Sequence, residues 1–159
     1  MKKLLTFIGV FVFLGAISFA GTFQNETAGL SLWVPDDWET TNENGTLTAD
    51  APDGDAFIIF DLLDNADDLE TALNVYETVL DSYFDNFTTE GESSQYELNG
   101  LVIDGLQGGG IMEGEHWRID VMLIYTGEHV CICISAVADS AGNAYEEEFD
   151  QIVSSLQKI

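Results

Sequence analysis

The sequence predicts an α+β fold, an antiparallel β-sheet of about six strands covered by helices. Three features point there. Three β-type runs follow one another near the start of the chain, separated by Pro- and Gly-containing turns. Further on, Asn99-Gly100 and Gly127-Glu128 each join two runs of β composition, as hairpins do. Between and after these lie two segments whose apolar residues recur at helical spacing, each broad enough on one side to lie on a sheet.

Taken in order, Gly21 to Gly29 reads as a polar lead-in, loosely held. Leu30 to Val34 is β-rich and stops at Pro35, with Asp36-Asp37-Trp38 as a turn. Thr46 to Ala51 is the second strand, closed by Pro52-Asp53-Gly54, where Pro sets φ and Gly releases it. Ala56 to Leu63 is the third. Asp67-Asp68-Leu69-Glu70 then offers a cap residue and an early acid. Leu69, Ala72, Leu73, Tyr76, Leu80, Tyr83, Phe84 and Phe87 continue the stripe, so one amphipathic helix of about twenty residues is expected. Gly91 to Ser94 reads as a loop, and Gln95–Leu98 and Leu101–Gly105 as the strands of the Asn99-Gly100 hairpin. Gly108-Gly109-Gly110 marks a bulge or an edge.

The segment from Glu115 to Asp139 is expected to form a hairpin that pairs Thr126 with His129. In that register Trp117, Ile119, Val121, Leu123 and Tyr125 share a buried face with Val130, Ile132, Ile134 and Ala136. Asn143 is the expected cap of a last helix, with Glu146 three residues on and Tyr145, Phe149, Ile152, Val153 and Leu156 as its buried stripe. Residues 21–159 read as a single α+β domain without repeat or linker.

Residues 1–20 read as a cleavable secretory signal peptide. Lys2 and Lys3 precede the apolar run Leu4 to Ala16, and Ser18-Phe19-Ala20 supplies small residues at the cleavage positions. The expected location is therefore outside the cytoplasm, periplasmic or extracellular. No later run is long enough to span a bilayer. After cleavage all 29 acidic residues of the chain would remain, faced by Arg118 and Lys158 alone. Such a field repels nucleic acid and anionic lipid and attracts counter-cations and basic partners. It also suits solvation in high salt.

The run Gly29-Leu-Ser-Leu-Trp-Val-Pro-Asp-Asp-Trp38, a helix after the third strand, Asn99-Gly100 leading back into the sheet and the closing Ile152-Val-Ser-Ser-Leu156 resemble the PsbP-like and DcrB-like group. The resemblance implies an α/β/α sandwich and an accessory or binding role in a bacterial envelope or thylakoid lumen, not an enzyme. Many DcrB-like members are lipoproteins. This chain departs from them in having Gly21, not Cys, directly after Ala20.

His129, Cys131 and Cys133 alternate along one strand, with Met122 opposite Cys133, a donor set suited to Cu(I) or zinc. The competing reading is of reduced, buried thiols acting as small hydrophobes. A bridge between Cys131 and Cys133 is disfavoured by their spacing along a strand. Acids gather at Asp50, Asp53 and Asp55 and at Asp61, Asp64, Asp67 and Asp68, where a divalent cation such as Ca²⁺ is the candidate cofactor. Their spacing departs from the D-x-[DN]-x-[DN]-G loop, and turn and cap preferences explain several of them. No nucleophile elbow or phosphate loop is present, so no catalytic residue is expected. Arg118 is expected to pair with a nearby acid. Asn25, Asn44 and Asn86 head sequons that matter only in a eukaryotic secretory route. The expected function is an exported, non-enzymatic module acting through an unknown protein partner, with metal binding as the alternative.

Overall fold

A computed structural model describes residues 21–63 and 66–159, so residues 1–20, read above as a signal peptide, and Asp64 lie outside the described residues. Two antiparallel sheets account for the strands. A small sheet is formed by β1 (Thr22–Asn25), β2 (Leu30–Trp33) and β10 (Gln157–Lys158), in the order β1-β2-β10. The main sheet takes β3 (Glu39–Glu43), β4 (Thr46–Asp50), β5 (Ala56–Leu62), β6 (Asp85–Leu98), β7 (Leu101–Met112), β8 (Glu115–Tyr125) and β9 (Val130–Ala138). Its seven strands run in the order β3-β4-β5-β9-β8-β7-β6. Helix α1 (Leu69–Leu80) covers one face of the main sheet; α2 (Glu146–Ser155) and the small sheet cover the other. Among the described residues no helix is long and apolar enough to cross a membrane.

The β8–β9 hairpin adopts the expected register, from Tyr125 opposite Val130 to Trp117 opposite Ala138. Thr126 N donates to His129 O at 3.0 Å and closes the turn. Alternation then sorts the hairpin onto both faces. Ile119, Val121, Leu123, Ile132 and Ile134 pack beneath Ala72, Tyr76 and Leu80 of α1. Met122, Ile124, Cys131 and Cys133 join Leu30, Ile58, Phe60, Ile103 and Ile152 on the opposite side. Each large aliphatic side chain taken from water contributes about 1.5–3 kcal/mol, which makes this hairpin the centre of both cores.

Several expectations need correction. Thr22–Asn25 is no loose lead-in but a strand against β2, and the Asn25 amide is buried, donating to Gly45 O at 3.1 Å while its oxygen accepts Ala28 N at 2.9 Å. That burial leaves no room for a glycan on Asn25. Strand β3 was not expected at all; its composition, Glu-Thr-Thr-Asn-Glu, belongs to an exposed sheet edge and carries no apolar alternation. Helix α1 has 12 residues instead of about twenty, because the chain turns at Asp81. Phe84 nonetheless reaches the same core and stacks on Phe57 with ring centroids 6.0 Å apart, which prolongs the helical-looking apolar pattern past the helix. The region read as a loop at Gly91–Ser94 belongs to one long strand, β6.

Gly108, Gly109 and Gly110 stay in register with Ile119, Arg118 and Trp117, and the irregularities fall on the neighbouring β6. The glycines permit close approach: a Cβ at Gly108 would lie 2.4 Å from Thr88 O, and one at Gly110 would lie 2.9 Å from Phe84 Cβ. Helix α2 is capped by Tyr145 and not by Asn143. Tyr145 packs edge-on against Trp38 at 6.0 Å, which fixes the chain there, and Glu146, Glu147 and Glu148 complement the helix dipole.

Candidate functional site

Helix α2 is held over the sheet at both ends. At its C-terminal end the side chain of Asn99 donates to Ser154 O at 3.1 Å and Leu156 O at 2.7 Å, and Ser155 Oγ accepts Trp33 N at 2.7 Å. Asn99 and Gly100 both take left-handed φ values, 50° and 77°, as the two-residue hairpin turn between β6 and β7 requires. At the N-terminal end Tyr145 Oη donates to Asp53, and the Arg118 guanidinium donates to Gly142 O. Arg118 Nε also lies 3.9 Å from Asp139 Oδ1, an exposed pair of little energetic weight.

Between these attachments α2 stands off from the β6–β7–β8 end of the sheet and leaves a groove. Its larger part, about 480 Å³, has Tyr96 and Ser94 of β6 on one side, Asp150 and Val153 of α2 on the other and Met122 at the base. A second part of about 330 Å³ continues toward Arg118, Tyr145 and Glu146. The two share Glu90, Gln107, Asp120 and Phe149 and so form one channel. Ser135, 5% exposed, borders the channel from β9. Gln107 Nε2 donates to Asp120 Oδ1 at 2.8 Å, an exposed bond between neighbouring strands on the groove floor.

The groove is anionic on every side, through Glu90 and Glu92 from β6, Asp120 from β8, and Glu146 and Asp150 from α2. Arg118 is the one cation lining it, and it donates to Gly142 O and lies beside Asp139. Neither His and neither Cys of the chain is among its lining residues. Chemically it can accept cationic and apolar groups together. Sequence reasoning missed this groove, because β6 is wet on both faces and gives no periodic signal. The one available clue was Tyr96 alternating with polar residues in Ser94-Gln-Tyr-Glu-Leu98.

The proposed soft-metal residues are distributed differently. Cys131 and Cys133 are 0% and 3% exposed within the apolar core, unbonded to each other. Met122 lies opposite Cys133 in the ladder, and His129 sits half-buried at the turn, before β9 begins. Burial pushes both thiols up to about 12, with Asp61 adding to the effect at Cys131 and Cys131 to that at Cys133. Among the described residues no three His, Cys, Asp or Glu side chains gather as a metal site.

The acidic turns have local partners. Asp53 accepts Asp55 N at 3.1 Å as well as the Tyr145 hydroxyl, which holds its carboxyl below the usual range through the Tyr145 bond first. Asp61 accepts Thr46 Oγ1 at 2.9 Å and Leu62 N at 2.8 Å. Asp68 caps α1 by accepting Thr71 N at 2.7 Å. Asp50 is raised above the carboxylate range, chiefly by burial and then by Glu39 across the ladder.

No family model matches the sequence, and no curated protein does. Solved structures are similar in fold. The solution structure of cyanobacterial PsbP (CyanoP) from Synechocystis sp. PCC 6803 superposes with a TM-score of 0.61 at 13% identity, over 90% of this chain and 94% of that one. A crystal structure from Bacteroides thetaiotaomicron VPI-5482 gives 0.60 at 16% identity over 89% of this chain, which spans only 49% of that protein. LpqN, involved in cell envelope biogenesis of Mycobacterium tuberculosis, gives 0.54 at 18% identity, over 80% of this chain and 82% of LpqN. With its seven-stranded antiparallel sheet between α1 on one face and α2 on the other, the chain has the PsbP-like fold.

Proposed function

We propose that the chain is an exported, non-enzymatic accessory module of the cell envelope that acts by binding a protein partner on the α2 face of its main sheet. The observation that carries this reading is the open groove between α2 and β6, lined by carboxylates, an aromatic ring and aliphatic groups. A site of that composition offers contact surface and charge. The fold it shares with cyanobacterial PsbP and LpqN supports an accessory role in a lumen or envelope. In this reading residues 1–20 are removed on export, residues 21–159 work as one domain, and the location is periplasmic or extracellular.

A photo-crosslinking residue at Tyr96, in the full-length chain expressed in its own host, tests the reading. A discrete adduct from the envelope fraction, absent when the same residue is placed at Thr78 on the exposed side of α1, is the expected result. Adducts at both positions alike, or at neither, would count against a partner on this face. Mass spectrometry of the same preparation should find the chain beginning at Gly21; an intact Met1 would overturn the export reading.

A further inference from the structure

We infer that the free edge of β6, beside the groove, takes an extended, lysine- or arginine-bearing segment of a partner protein as an added strand. This deepens the partner reading above and rests on it. Strand β6 ends the sheet, paired with β7 alone, and of its 14 residues only Phe87 and Leu98 are half-buried, the rest being exposed. Such an edge offers unpaired N–H and C=O groups to any passing strand. Two features guard it. The four-residue step from Glu90 to Ser94 faces a two-residue step from Gln107 to Gly105, so the strand is irregular in its middle. Asp85, Glu90, Glu92 and Glu97 also give it a single sign of charge. That charge repels a second copy of the same edge, yet it draws in a cationic strand.

Beyond the irregularity, Ser94 to Leu98 pairs residue for residue with Leu101 to Gly105, and this regular stretch lies beside the groove. Ser94 and Tyr96 point into the groove. Tyr96 is one of three large hydrophobic side chains left exposed among the described residues, at 39%. Its ring lies over Gly105, where a Cβ would come within 3.2 Å of Tyr96 Cε1, so glycine gives the ring a flat seat. An added strand places alternate side chains over this platform. The methylene stem of Lys or Arg packs on Tyr96 while the head meets Glu92 or Asp150. Main-chain hydrogen bonds supply affinity and the alternating groove contacts supply selectivity, as in strand addition generally.

The test uses the exported chain, a short synthetic peptide alternating Lys with Val, its Glu/Val counterpart, and spermine, at about 0.15 M salt. The Lys/Val peptide should bind one to one, shift and protect the amides of Ser94–Leu98, and fail to be displaced by spermine at equal charge. Y96A, at an exposed position that leaves folding intact, should weaken binding about tenfold without changing net charge. G105V should do the same by lifting the ring, and E92Q with D150N should weaken binding in a salt-dependent manner. Amide shifts spread over the whole acidic surface, equal binding by Y96A, or competition by spermine would reduce the effect to a counterion atmosphere and overturn the inference. A dimer in sedimentation that Y96A dissolves would overturn it in favour of a second copy. A Tyr96 crosslink to an envelope protein combined with unaltered peptide binding by Y96A would sink this inference and leave the accessory reading standing.

Discussion

The two faces of the main sheet are covered in different ways. Under α1, the apolar face of the β8–β9 hairpin is sealed, with Leu123, Ile132 and Ile134 at 0% exposure and Phe57, Phe84 and Trp117 packed at its edge. Under α2 and the small sheet the cover is complete over β5 but lifts away over β6, over Gly105–Gly108 of β7 and over Asp120–Met122 of β8, so that the channel reaches Ser135 of β9. One face therefore stabilises the molecule, and the other divides its area between stability and an accessible channel. The division follows sequence. The α1 face draws Ile, Val, Leu and aromatic residues from β5, β8 and β9, whereas the outer part of the α2 face draws Gly105, Gln107, Asp120 and the polar strand β6.

Thiol chemistry offers the sharpest probe of where the α2 face stops being closed. With burial pushing both thiols from the ordinary 9.0 up to about 12, the thiolate fraction at neutral pH falls about a thousandfold before access is considered. Native labelling of Cys131 and Cys133 should be negligible and become complete in denaturant. Rapid native labelling would mean that the groove extends beneath Met122 to Cys133, and would revive a soft-metal role for His129, Cys131, Cys133 and Met122.

Next in size is the contrast between the faces in stability. Leu123→Ala, at 0% exposure under α1, should cost about 2–5 kcal/mol by urea denaturation. Val153→Ala, a half-buried groove residue, should cost roughly 1 kcal/mol or less. Equal losses at the two positions would show that the α2 face is as tightly packed as its opposite.

The smallest effect concerns the attachment of α2 at Tyr145. Asp53 has a lowered carboxyl pKa in the folded chain, so its contribution to stability is present above the unfolded value of 3.8 and is lost as pH falls through the folded one. Asp53→Asn should lower stability modestly at neutral pH and flatten the acid limb below about pH 4, so that variant and parent converge in acid. Asp50 acts in the opposite sense. Its raised pKa means that stability increases as pH falls through the folded value, so the two groups should be separable in an acid titration of melting temperature.

How much of this was legible in the chain depends on which strands have a dry face. The β8–β9 hairpin was readable to the residue, because alternation over Trp117–Tyr125 and Val130–Ala136 leaves one register that buries both apolar sets. Asn99-Gly100 was equally plain, since its two left-handed residues demand that chemistry. Strands β1 and β3 and the Asp85–Ser94 part of β6 were hidden for the opposite reason: with few or no buried side chains, their pairing is held by backbone bonds that no residue pattern records. The groove inherits that silence, since one of its walls is β6. The end of α1 was obscured by Phe84, which packs where a longer helix would have put it.

Asn99 gives the molecule a lever. The two carbonyls it grips, of Ser154 and Leu156, immediately precede β10, whose Gln157 and Lys158 pair with Ser31 and Leu30 of β2. Asn99 thereby ties the tip of the β6–β7 ribbon to the small sheet through one amide side chain, so a displacement at the ribbon's tip is passed to β10 and on to β2.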